Sequence, residues 1–101
     1  MSLQNKILSL VAGIDDPATR LEIARTILFL YEVYRTGRAS DEDITKALYD
    51  VALTIIKFRE PYLPDEEKRE KAGKIADELF ELFRMESLFK TTLRRIGTPT
   101  F

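Results

Sequence analysis

Residues 16–37 read DPATRLEIARTILFLYEVYRTG. Asp16 is an N-cap residue type, and Pro17 after it suits the first helical position, where the missing N–H is not needed. Ile23, Ile27, Leu30, Tyr31 and Tyr34 then recur at helical spacing, and Gly37 tolerates the left-handed conformation that closes a helix. A helix from Pro17 to about Thr36 is the reading. Its apolar side is broad: Leu21, Ala24, Leu28 and Phe29 widen the stripe until Arg20, Glu22, Arg25, Glu32 and Arg35 mark the solvent side.

Upstream, Leu3, Ile7, Leu10 and Val11 give residues 3–12 the same periodicity, and Gly13 stops it. Downstream, Ser40 with Asp43 three positions later forms a near capping box, and Asp41, Glu42 and Asp43 sit where the helix dipole favours negative charge. Ile44, Ala47, Leu48, Val51, Ile55 and Phe58 trace one face of this third helix, with Tyr49, Leu53 and Ile56 along a second edge. It ends near Glu60, because Pro61 and Pro64 cannot continue it and disfavour helical geometry before them. A fourth helix opens at Pro64, carries Asp65, Glu66 and Glu67 in its first turn, and points Ala72, Ile75, Ala76, Leu79 and Phe83 inward. The pattern continues through Met85, Phe89, Leu93 and Ile96. A straight helix over 64–96 would be about 50 Å long at 1.5 Å per residue, too long for a compact domain of this size. A bend near Glu86-Ser87 is therefore expected, Ser87 capping a short fifth helix that ends at Gly97, unless an extended helix serves dimerisation. Residues 97–101 read as an irregular tail. Gly73, inside the fourth helix, is expected to permit a close helix approach beside Ala72 and Ala76.

No period-2 alternation and no Asn-Gly or Asp-Gly hairpin turn is found. The fold class is all-α, a small bundle of four to five helices, mostly antiparallel because the connections are short. A chain of 101 residues with 45% hydrophobic content closes one core, so residues 1–101 form a single helical domain.

Composition narrows the chemistry. The chain has no Cys and no His, which removes the thiolate and imidazole ligands of structural zinc, haem and iron–sulfur sites; no cofactor is expected. The opening Met1-Ser2-Leu3-Gln4-Asn5-Lys6 lacks the pattern of an export signal, and the longest apolar run, Ile27 to Tyr31, is far short of the roughly 20 residues a membrane span needs. The cytoplasm is the expected compartment, with no membrane partner. Net charge is −1, although residues 41–83 hold 12 acidic and 7 basic side chains and residues 84–101 hold 4 basic and 1 acidic. One Gln and one Asn among many Glu, Lys and Arg lean toward a thermophile composition.

Carboxylates are the only raw material for catalysis. Glu67 with Glu70, and Glu78 with Glu81, are three apart on a helix face, a spacing similar to that by which helical nucleotide pyrophosphohydrolases hold Mg²⁺. Those enzymes place paired acidic motifs on two helices. Here both pairs fall on one, and Lys68, Lys71 and Lys74 offer ordinary i,i+3 and i,i+4 ion pairing. None of Ser2, Ser9 or Ser40 has a lysine three positions on, Ser87, three before Lys90, is read as a helix cap, and the four glycines stand alone rather than in a phosphate cradle. A non-enzyme is the expectation.

Ile27 to Tyr31 running through Gly37-Arg38-Ala39-Ser40 into Asp41 to Leu48 resembles the opening of winged-helix DNA-binding domains, which implies nucleic acid as an alternative partner. The resemblance stops at Leu48: Tyr49 to Phe58 continues without a breaker where a recognition helix should begin, and no strand pair for a wing follows. Lys90, Arg94 and Arg95, with Phe89 interleaved, are the residues that would contact a nucleic-acid backbone. The breadth of the apolar faces points elsewhere. Phe29, Tyr31, Tyr34, Tyr49, Leu53, Phe58 and Tyr62 exceed what one small bundle covers, and Tyr and Phe are favoured interface anchors. The expected role is a protein-protein interaction or scaffolding module that self-associates, most simply as a two-fold dimer through the second and third helices.

Overall fold

The computed structural model describes the backbone of residues 2–97 and the side chains of residues 2–88. Four helices follow one another: α1 (Leu3–Val11), α2 (Pro17–Arg35), α3 (Asp41–Arg59) and α4 (Asp65–Gly97). No strand occurs among the described residues. The helices pack as a small bundle in which the α3–α4 interface is the largest and α1 lies across α2 and α4.

Local chemistry fixes the ends. Ser2 caps α1 by accepting the Asn5 N–H at 3.1 Å, and Ser40 caps α3 by accepting the Asp43 N–H, also at 3.1 Å. Asp16 stands at the N-cap of α2, yet its carboxylate accepts the Thr19 hydroxyl at 2.6 Å rather than a backbone N–H. α2 closes in a Schellman motif: Arg38 N–H reaches the Val33 carbonyl and Gly37 N–H the Tyr34 carbonyl, with Gly37 at φ 71°. Pro64 sits one position earlier than expected, as the N-cap whose carbonyl accepts the Lys68 N–H at 3.0 Å.

The core is built from Ile7 and Leu10 of α1, Ile23, Ile27 and Tyr31 of α2, Ile44, Leu48, Ala52 and Ile55 of α3, and Ala72, Ala76, Leu79 and Phe83 of α4. Ile14, in the connection between α1 and α2, joins them at 2% exposure. The sequence reading missed it because a lone isoleucine between two helices has no periodicity to belong to.

Two expectations fail here. The bend at Glu86-Ser87 does not occur: α4 is one helix of 33 residues, about 50 Å at 1.5 Å per residue. A compact domain of this size requires every turn of α4 to lie against the bundle, whereas Phe83 is the last buried residue among the described side chains and the helix continues to Gly97. The molecule is accordingly elongated, 54 × 28 × 21 Å, with a radius of gyration of 15.1 Å against the roughly 13 Å of a compact chain this long. Nor does Gly73 serve a close approach, since a Cβ added there meets no atom within 4 Å. Gly97 belongs to α4, and residues 98–101, the rest of the expected tail, lie outside the described residues.

Candidate functional site

The residues expected to form an interface divide into two groups. Tyr31 is buried and Tyr34 half-buried because both rings are taken up by α4: Tyr31 meets Phe83 edge-on at 5.3 Å, and Tyr34 meets Phe80 at 5.5 Å and Phe83 at 5.9 Å. These are intramolecular contacts of the kind that edge-to-face aromatics favour. Burial, together with the nearby Glu86 carboxylate, raises the pKa of the Tyr31 phenol. Tyr31 is thus a core residue rather than a surface anchor. Its helical spacing with Ile23 and Ile27 was the available signal, and it outweighs the aromatic's general preference for interfaces.

The remaining residues stay open to solvent. Phe29 is 65% exposed, Phe58 53% and Tyr62 76%, while Tyr49 and Leu53 are half-buried along the outer edge of α3. Further large apolar side chains outside the expected interface also stand exposed: Leu21 and Leu28 on α2, Leu8 on α1, and Met85 and Leu88 on α4. Leu21 and Leu28 are seven apart and so share a flank of α2, with Phe29 about a quarter-turn further round. Met85 and Leu88 lie beyond Phe83, where α4 has left the core behind.

Of the two carboxylate pairs whose spacing resembled a Mg²⁺ motif, Glu78 and Glu81 are engaged with cations. Glu78 pairs with Lys6 of α1, and Glu81 with Arg84 at 2.7 Å, the Arg84 guanidinium holding the Glu81 carboxyl below its ordinary value. No group of three potential metal ligands comes together among the described residues. No helix among them is long and apolar enough to cross a membrane. The winged-helix resemblance ends where α3 runs unbroken from Asp41 to Arg59, through the position at which a turn and a recognition helix would begin. The side chains of Lys90, Arg94 and Arg95 lie outside the described residues.

Sequence reasoning also overlooked Arg59. Its guanidinium donates to the Leu10 carbonyl at 3.3 Å, tying the end of α3 to the last turn of α1. Gly13 makes this possible: a Cβ there would lie 2.9 Å from Arg59 Nε. Arg20 anchors the same connection from the other side by donating to the Ile14 carbonyl at 3.0 Å. Comparison with protein-family models, with curated proteins and with solved structures finds no match for this chain.

Proposed function

We propose that this protein is a non-enzymatic interaction module that associates with itself through apolar helix surface its own core leaves uncovered. The supporting observation is the continuation of α4 past Phe83. Met85 and Leu88 are 57% and 59% exposed there, beyond the last buried residue among the described side chains. Most helical stability in proteins comes from packing an apolar face, which these turns of α4 lack at Met85 and Leu88. A second copy laid against this extension supplies that packing. Phe29, with Leu21 and Leu28, gives α2 further apolar surface of the same kind, and Phe58 and Tyr62 extend it at the far end of α3. In the same reading, successive helices run antiparallel, as their short connections favour.

Sedimentation equilibrium across a concentration series tests the proposal. A particle of twice 11.7 kDa is expected, and its dissociation constant should rise at least about tenfold when Met85→Glu and Leu88→Glu are combined. A particle that remains at 11.7 kDa from micromolar to millimolar concentration would overturn self-association. Dimers that persist unchanged in the α4 variant but dissociate with Phe29→Glu would move the interface to α2.

A further inference from the structure

Where α1, α3 and α4 meet, a cleft of about 430 Å³ opens, with Leu10, Ile56 and Ile75 among its walls. Four cations and one carboxylate reach it: Lys6, Arg59, Lys71 and Lys74, with Glu60. In a chain whose net charge is −1, four cations against one carboxylate make a local excess of positive charge. Two of the four are already matched, Lys71 by Glu60 at 2.6 Å and Lys6 by Glu78. Arg59 and Lys74 take part in none of the described ion pairs.

We infer that this cleft binds a small organic phosphate monoester, its phosphate on Arg59 and Lys74 and its apolar body against Ile75, over a floor in which Leu10 and Ile56 are almost wholly buried. Three features carry the assignment. First, the size is that of a small-molecule site, and its lining combines apolar walls with a few polar groups, the usual makeup of such sites. Second, two uncompensated cations match a dianion, and a phosphate monoester is close to dianionic at pH 7 because its second pKa is about 6. Glu60, in the cleft wall beside Lys71, and Glu78, beside Lys6, break up the positive surface, which suits one compact anion rather than the continuous track a nucleic acid requires. Third, Arg59 is positioned in advance. The Leu10 carbonyl takes one of its five donors, and Gly13 leaves the space its chain crosses. A guanidinium held in this way loses less side-chain freedom when it engages a planar pair of phosphate oxygens.

Phenyl phosphate is a direct probe, with inorganic phosphate and phenyl sulfate as controls at matched ionic strength. Titration followed by backbone amide NMR should move the amides at the end of α1, the end of α3 and the first turns of α4. Affinity for phenyl phosphate should exceed that for either control at least about threefold, and should fall between pH 7 and pH 5 as the phosphate takes up a proton. Lys74→Glu should weaken binding at least about tenfold while leaving the free protein's spectrum unchanged elsewhere, because Lys74 is exposed and outside the described ion-pair set. Lys74→Ala gives a milder loss of the same kind, should charge reversal prevent folding. Equal affinity for phenyl sulfate, shifts scattered over all basic residues, or binding unchanged in both Lys74 variants would overturn the assignment. None of these readouts depends on self-association.

Discussion

At the scale of single residues, the three glycines among the described side chains differ in what they do. Gly37 occupies a positive φ that completes the Schellman closure of α2, so Gly37→Ala imposes left-handed strain of about 1 kcal/mol. Gly13 has ordinary backbone geometry and is needed for the passage of Arg59. Gly73 is inside a helix, at negative φ, with open space where a Cβ would go. Gly73→Ala is therefore expected to stabilise the fold by about 0.5–1 kcal/mol, through helix propensity and a less flexible unfolded chain. Denaturant melts of the two alanine variants check the pair: midpoints shifted in opposite directions are expected, and a loss of stability at Gly73 would show a contact that the geometry does not contain.

At the scale of helices, the same distinction separates what was legible in the sequence from what was not. The boundaries of α2 and α3 follow from Pro17, Gly37, Ser40 and Pro61, because caps and breakers act on the backbone locally and need no knowledge of the neighbours. The inward faces followed as well: Ile23, Ile27, Leu48, Ile55, Leu79 and Phe83 are all in the core. Relations between helices were less readable. That Tyr31 and Tyr34 turn toward Phe80 and Phe83 depends on how α2 meets α4, which no local spacing encodes. Arg59 was hidden for the same reason, since its acceptor is 49 residues away in sequence. The unbroken course of α4 was misjudged by a rule about whole domains applied to one element. The meeting of Phe83 with both tyrosines makes it the residue on which the α2–α4 interface rests. Phe83→Ala should cost about 3–5 kcal/mol, a large share of the total for a domain of this size. Urea unfolding that changed by less than about 1 kcal/mol would mean the aromatic cluster contributes little.

For the whole molecule, charge sets a broad window of pH stability. No His or Cys is present, so no side chain of ordinary pKa titrates across the neutral range. On the acid side, the Thr19 hydroxyl lowers the Asp16 pKa from its ordinary 3.8 and Arg84 lowers that of Glu81 from 4.5. Groups shifted in this direction stabilise the folded state above those ordinary values, and the contribution disappears as pH falls through the lowered ones. On the alkaline side, Glu60 raises Lys71 above 10.5, a contribution present below that value and lost as pH rises through the raised one. Each group is exposed, so each effect is small and weakened by salt. The melting temperature should stay flat between these limits and decline outside them. A step near pH 6.5 in a calorimetric series would contradict this account.

The uninterrupted α4 has a bearing on how the particle moves in solution. A body measuring 54 × 28 × 21 Å does not rotate equally about all axes, and a helix of about 50 Å accounts for its longest dimension. Helical N–H bonds point along their helix axis, so those of α4 lie near the slow-tumbling direction. In nitrogen-15 relaxation, α4 amides should report a longer apparent correlation time than those in the connections at residues 12–16 and 60–64. Side-by-side pairing of two such rods would lessen that contrast, whereas end-to-end pairing would exaggerate it, so spin relaxation distinguishes the two geometries of assembly without a crystal.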